Sequence, residues 1–188
     1  EDLQTRGYVV VNLEYRRAKV YDSATGDQGG FPETFNDLID GVDALSCIKD
    51  ASNPCSITGP DGLDTSKIVI AGHSAGGHLA LWRALQKGLS LTTRDSYGIH
   101  YPSLEPVAAI GLAAVSDFNG PCNNDSTASK SAIENFMKFG TNGINQYCSN
   151  PFHDVVSPLA MLSNANALIM DPVLPLKMVH GTQDTTVR

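Results

Sequence analysis

Ser74 sits at the centre of Gly72-His73-Ser74-Ala75-Gly76, a hydroxyl with glycine two residues away on either side. A serine in this setting can attack a carbonyl carbon if the chain bends sharply enough to hold Oγ clear of the backbone. Its neighbours predict that bend. Before it, Lys67-Ile68-Val69-Ile70-Ala71 is an apolar run bounded by Asp64-Thr65-Ser66 and reads as a short buried strand. After it, Leu79, Ala80, Leu81, Trp82, Ala84 and Leu85 form a helix-favouring run that ends near Gly88. Gly72 and Gly76 are expected at points where a Cβ would collide with the adjoining strand or helix.

The other motifs fall in a fixed order around this one. Asn12-Leu13-Glu14-Tyr15-Arg16-Arg17 comes first, then Gly29-Gly30-Phe31-Pro32-Glu33-Thr34-Phe35-Asn36-Asp37, then the serine turn, and last His180-Gly181-Thr182-Gln183-Asp184. Together they resemble the esterase/lipase-type members of the α/β-hydrolase superfamily, those related to prolyl-oligopeptidase catalytic domains and kynurenine formamidase-like esterases. The resemblance implies an α/β-hydrolase fold, a mostly parallel sheet flanked by helices, with a Ser-His-Asp triad and Ser74 on the nucleophile elbow. It also places Asp184 at the acid position, on the loop after the strand ending at His180. Asp117, in Val115-Ser116-Asp117-Phe118, is the competing acid, because a carboxylate leaving the strand over residues 107–113 can also reach a base.

A serine hydroxyl needs a base, and in this superfamily the histidine follows the acid along the chain. The sequence runs only to Arg188. None of its five histidines has the expected place: His73 abuts the nucleophile, His78 falls on the following helix, and His180 ends a strand. His100 and His153 occupy loop-like segments, and His153 is the least awkward substitute. The family's His-Gly-Gly turn, which donates one oxyanion N–H, has no counterpart before residue 8, so the Ala75 N–H is the one donor identified. The expectation is a single partial domain over residues 1–188, incomplete at both ends and cut from a larger hydrolase.

Elsewhere the pattern alternates strand and helix, as a parallel sheet requires. Residues 8–15 read as a strand. Pro32 suits a first helical turn, and Phe35, Leu38, Ile39, Val42, Leu45 and Ile48 recur at helical spacing. Further strands are expected over residues 107–113 and 174–180, and a helix over 131–139. Arg16 and Asp37 match polar positions common in the family the chain resembles, and the resemblance implies structural hydrogen-bond partners, not catalysts. With 188 residues and 41% hydrophobic content, one buried core is affordable, and a net charge of −7 argues against nucleic acid or an anionic membrane surface as partner. No apolar run reaches the roughly 18 residues of a membrane helix.

Four cysteines allow three pairings; the local ones, Cys47–Cys55 and Cys122–Cys148, each span a turn-rich loop, and free thiols remain the alternative. No cysteine or histidine spacing suits zinc, and no cofactor is called for. Asn124-Asp125-Ser126 is a glycosylation sequon, coherent with a secreted or extracellular protein, a cytoplasmic one being the alternative. The expected activity is hydrolysis of a small-molecule carboxylic ester through an acyl-enzyme. The alternatives are a prolyl-oligopeptidase-type peptidase and a hydrolase fold retained only for binding.

Overall fold

The computed structural model describes residues 2–18, 29–49, 63–118, 127–137, 153–163 and 174–183. Three strands form one parallel sheet in the order β1 (Val69–His73), β2 (Ala108–Leu112) and β3 (Leu176–Val179). Its helices are α1 (Asp2–Thr5), α2 (Glu33–Asp43), α3 (Leu45–Lys49), α4 (Ala75–Leu85), α5 (Leu91–Tyr97), α6 (Thr127–Phe136), α7 (His153–Val156) and α8 (Pro158–Ser163). Parallel strands need crossover connections, and the helices between β1, β2 and β3 provide them.

Register decides what each sheet face carries. Ile70 and Gly72 of β1 stand opposite Ala109 and Gly111 of β2, and α4 lies over this row. Leu81 and Ala84 of α4 are buried there with Ala109, Ala114 and Leu174. The small side chains let the helix backbone come close. The opposite row, Val69, Leu112 and Val179, is roughly half exposed among the described residues.

The larger core lies on the far side of α4. Trp82 is fully buried, stacked on Phe35 of α2 with centroids 3.8 Å apart, and its Nε1 donates to the Val155 carbonyl at 2.8 Å. Phe35, Leu38, Ile39 and Val42 of α2 are buried as their spacing requires. The single helix expected through Ile48 is instead two. Ser46 Oγ donates to the Asp43 carbonyl, and the Asp43 carboxylate accepts the Ser103 and Leu104 amides, so the chain turns at Ala44. Pro32 stands one residue earlier than expected, at the N-cap of α2.

Residues 8–15 are a second correction. They form no strand: no ladder partner takes their backbone groups among the described residues, and Tyr8, Val9, Val10 and Val11 are each about half exposed or more. β propensity needs a neighbour to become a strand. The segment is anchored only at its end, by Leu13 and Tyr15 against the core and where Arg16 meets α2. There the Arg16 N–H donates to Asp37 Oδ2 at 2.8 Å, its guanidinium grips the same carboxylate through Nε and Nη2, and Thr34 Oγ1 donates to the Arg16 carbonyl. Arg16 and Asp37 are therefore structural partners, as expected. Burial opposes ionisation of Asp37, and the Arg16 hydrogen bonds and charge outweigh it, holding the carboxyl below its usual range.

His78 is buried among rings, stacked on Phe118 at 4.2 Å and on Phe35 at 6.0 Å, with Phe136 edge-on. Its Nδ1 lies 2.8 Å from the Val115 carbonyl and so carries the proton, donating to that oxygen. Burial pushes its pKa down to about 4, against the ring's ordinary 6.5. Between those values the unfolded chain binds the extra proton, so stability falls as pH drops from 6.5 towards 4, by about 3 kcal/mol in all. The melting temperature should therefore decline over that window, and His78→Phe should flatten the decline. An equal decline in wild type and variant would show that His78 does not carry it.

Candidate active site

Ser74 is the residue between β1 and α4, with φ 55° and ψ −119°. A non-glycine residue in that region is strained and persists only where its surroundings impose it. The imposition is visible. The Ser74 N–H donates to the Leu112 carbonyl at 2.9 Å, extending the β1–β2 ladder by one residue, and its own carbonyl accepts the His78 N–H at 3.0 Å, opening α4. One residue thus ends a strand and caps a helix, and its half-exposed side chain stands at the carboxyl edge of the sheet.

Glycine permits the crossing, though at positions only partly as expected. A Cβ on Gly72 would run into the Gly76 carbonyl, and one on Gly77 would lie 2.8 Å from the Ala114 Cβ. At Gly76, by contrast, a Cβ would meet only the Tyr15 hydroxyl, at 3.9 Å, among the described residues outside α4. The close approaches are therefore at Gly72 and Gly77, and the second glycine of the pentapeptide is not sterically required. The exposed Ala75 begins α4, and the first amides of a helix have no partner within it. The Ala75 N–H can therefore face an oxyanion beside Ser74, with the helix dipole favouring negative charge there.

The same edge carries the two candidate acids' strands. β2 is followed by Ala113, also at positive φ (45°), whose N–H donates to the Val179 carbonyl at 2.8 Å. Asp117 follows, half-buried, between two anchored neighbours. Val115 is held by His78, while the Phe118 N–H donates to Ser157 Oγ at 3.3 Å. β3 is parallel to β2 and ends at Val179, so the chain heading for Asp184 leaves from this edge too. Asp184 itself lies outside the described residues, as do Cys55, Cys122, Cys148 and the sequon. Cys47 is disulfide-bonded.

No histidine side chain bonds to Ser74. Its Oγ bonds to none of the described residues. His73 ends β1 and is exposed, His78 is locked in its aromatic cage, and His180 is exposed after β3. His100 pairs with Asp40 at 2.8 Å, and His153, which starts α7, has Nε2 2.9 Å from Asp154 Oδ1. A depression of about 400 Å³ runs between residues 13–16 and α2, lined by Leu13, Tyr15, Arg16, Asp37 and Asp40. Ser74 is not in its wall, although Tyr15 is.

The BD-FAE family model matches residues 1–188, the whole chain. The chain belongs to the BD-FAE family. This is an esterase family of the α/β-hydrolase type, in keeping with the parallel sheet, the strained serine and the helix behind it. Among solved structures it is similar to a carboxylesterase from Lactobacillus plantarum, at 19% identity over 84% of this chain and 56% of the other, with a TM-score of 0.46. A lipase/esterase from the same organism gives 19% identity over 86% and 64% of the two chains, also at 0.46. An inhibited esterase B from Lactobacillus rhamnosis gives 14% over 85% and 54%, at 0.47. This BD-FAE chain thus spans less than two thirds of each of these structures. No curated protein matches it.

The glycine contacts set up a contrast. Gly72→Ala forces β1 and α4 apart and should lower the melting temperature by several degrees, an overpacking cost of about 1–3 kcal/mol. Gly76→Ala should leave it unchanged within about a degree. Equal effects of the two substitutions would contradict the contacts described.

Proposed function

We propose that this chain carries the nucleophile of a carboxylic ester hydrolase working through an acyl-enzyme on Ser74. The supporting observation is the serine's backbone: a non-glycine residue at φ 55° between strand and helix, with Oγ at the carboxyl edge of the sheet. That geometry has a cost in strain, and presenting a side chain clear of the backbone is what it achieves.

In this reading Ser74 Oγ attacks the carbonyl of a small ester and its proton passes to an imidazole. The Ala75 N–H stabilises the oxyanion, and water later releases the acyl group. Asp184 orients the imidazole, and Asp117 is the substitute should Asp184 point elsewhere. The imidazole is that of a histidine following the acid in chain order; His78 is caged among rings, and His100 and His153 pair with carboxylates. This chemistry calls on no cofactor or metal. The disulfide on Cys47 supports pairing with Cys55, with Cys122–Cys148 as the second bridge and an extracellular location.

Two measurements on the intact protein test this. Ser74→Ala should lower turnover of p-nitrophenyl acetate by at least about 10³-fold and abolish covalent labelling by a fluorophosphonate. Turnover surviving that substitution would end the serine-hydrolase reading. Asp184→Asn should cost on the order of 10³–10⁴ in kcat, and Asp117→Asn much less. The reverse order would transfer the acid role to Asp117.

A further inference from the structure

Among the described residues the Tyr15 hydroxyl is the one group outside α4 that approaches the flank of Gly76, two residues after the nucleophile. We propose that Tyr15 contacts the substrate of the Ser74 site, its hydroxyl donating a hydrogen bond to the ester carbonyl oxygen as negative charge develops there. The inference rests on the reading of Ser74 as nucleophile and adds to it a side-chain donor.

Three features carry it. First, position: a Cβ at Gly76 would lie 3.9 Å from the hydroxyl, with nothing else outside the helix within 4 Å, so the hydroxyl stands beside the first turn of α4. That turn is where the free amides face, and where an oxyanion on a Ser74 adduct would be held. Second, rigidity: the residue following Tyr15 has both backbone groups fixed by α2, its N–H by Asp37 and its carbonyl by Thr34, at 2.8 and 2.6 Å. Leu13, two residues before, packs against Gly41, and the half-buried Tyr15 ring packs against the aromatic core. A donor held from both sides needs little reorganisation when charge appears, which is what makes such a group effective. Third, availability: among the described residues the hydroxyl has no hydrogen-bond partner, whereas Tyr101 donates to Asp95 and buried Trp82 to Val155.

The step balances without further reagents. Ser74 Oγ forms its bond to the carbonyl carbon while its proton passes to the imidazole base of the proposed triad. The C=O π pair moves onto oxygen, and Tyr15 donates a hydrogen bond to that oxygen and keeps its proton. On collapse the pair returns, the alkoxide leaves, and the imidazolium protonates it.

The test compares wild type, Tyr15→Phe and Ser74→Ala in the intact protein. Tyr15→Phe keeps the ring and removes the hydroxyl. Its kcat on p-nitrophenyl acetate should fall on the order of 10²-fold with KM within about twofold. Inhibition by a trifluoromethyl ketone, whose hemiketal oxyanion mimics the adduct, should weaken by the same factor, with the melting temperature unchanged. An unchanged kcat would overturn the proposal. So would a lower kcat with undiminished affinity for the ketone, or one matched by a drop in melting temperature, since both describe a structural tyrosine. Turnover surviving Ser74→Ala would instead remove the nucleophile reading beneath it.

Discussion

Everything in this structure is arranged around one backbone contact, the crossing of β1 by α4 at Gly72 and Gly77. Gly72 faces the Gly76 carbonyl and Gly77 faces Ala114 and the Gly72 carbonyl, so closely that a Cβ on Gly77 would lie 3.0 Å from that carbonyl oxygen. At that separation the residue between them has no ordinary conformation left, and Ser74 takes positive φ because both its backbone groups are already committed. The strain is thus a consequence of close packing, and the exposed hydroxyl is a consequence of the strain.

The contact holds only if α4 is fixed along its length, and the helix is gripped at both ends. Near its C-terminus Arg83 is fully buried, donating to the Leu104 carbonyl and to Glu105 at 3.1 Å. A cation in the last turn and a developing anion at the first both suit the helix dipole. Between them Trp82 and His78 key the helix into α2, α7 and the segment after β2. A buried arginine left without its carboxylate would be costly, which locks the helix rotationally as well.

Local pattern made part of this legible. The serine turn and its helix could be read because glycine spacing and a helix-favouring run point the same way; the strand reads two residues early and as buried, whereas β1 runs Val69–His73 and is at least partly exposed throughout. Arg16 and Asp37 were legible as partners through the resemblance, and the spacing of Phe35, Leu38, Ile39 and Val42 gave the buried face of α2. Residues 8–15 misled because a β-branched run states a propensity and not a partner. The break at Ala44 depends on amides sixty residues away, at Ser103 and Leu104, and no local pattern contains them. Gly76 misled for a related reason: the pentapeptide implies two crowded glycines, but crowding is set by Ala114 and by the next residue, Gly77. Tyr15's nearness to Gly76 is likewise a product of the fold alone.

His78 shows why proximity along the chain does not make a base. It lies one helical turn after Ser74, and its backbone N–H bonds to the serine carbonyl. A triad base must take the serine proton and stand as a cation while the adduct exists, supported by a carboxylate. The His78 ring instead faces Phe35, Phe118 and Phe136, its proton is committed to the Val115 carbonyl, and burial holds its pKa near 4. Each feature that makes it a good wedge between α4 and the segment bearing Asp117 makes it a poor acceptor. In the proposed reaction the proton from Ser74 therefore passes to a different imidazole, and Oγ itself is bonded to none of the described residues.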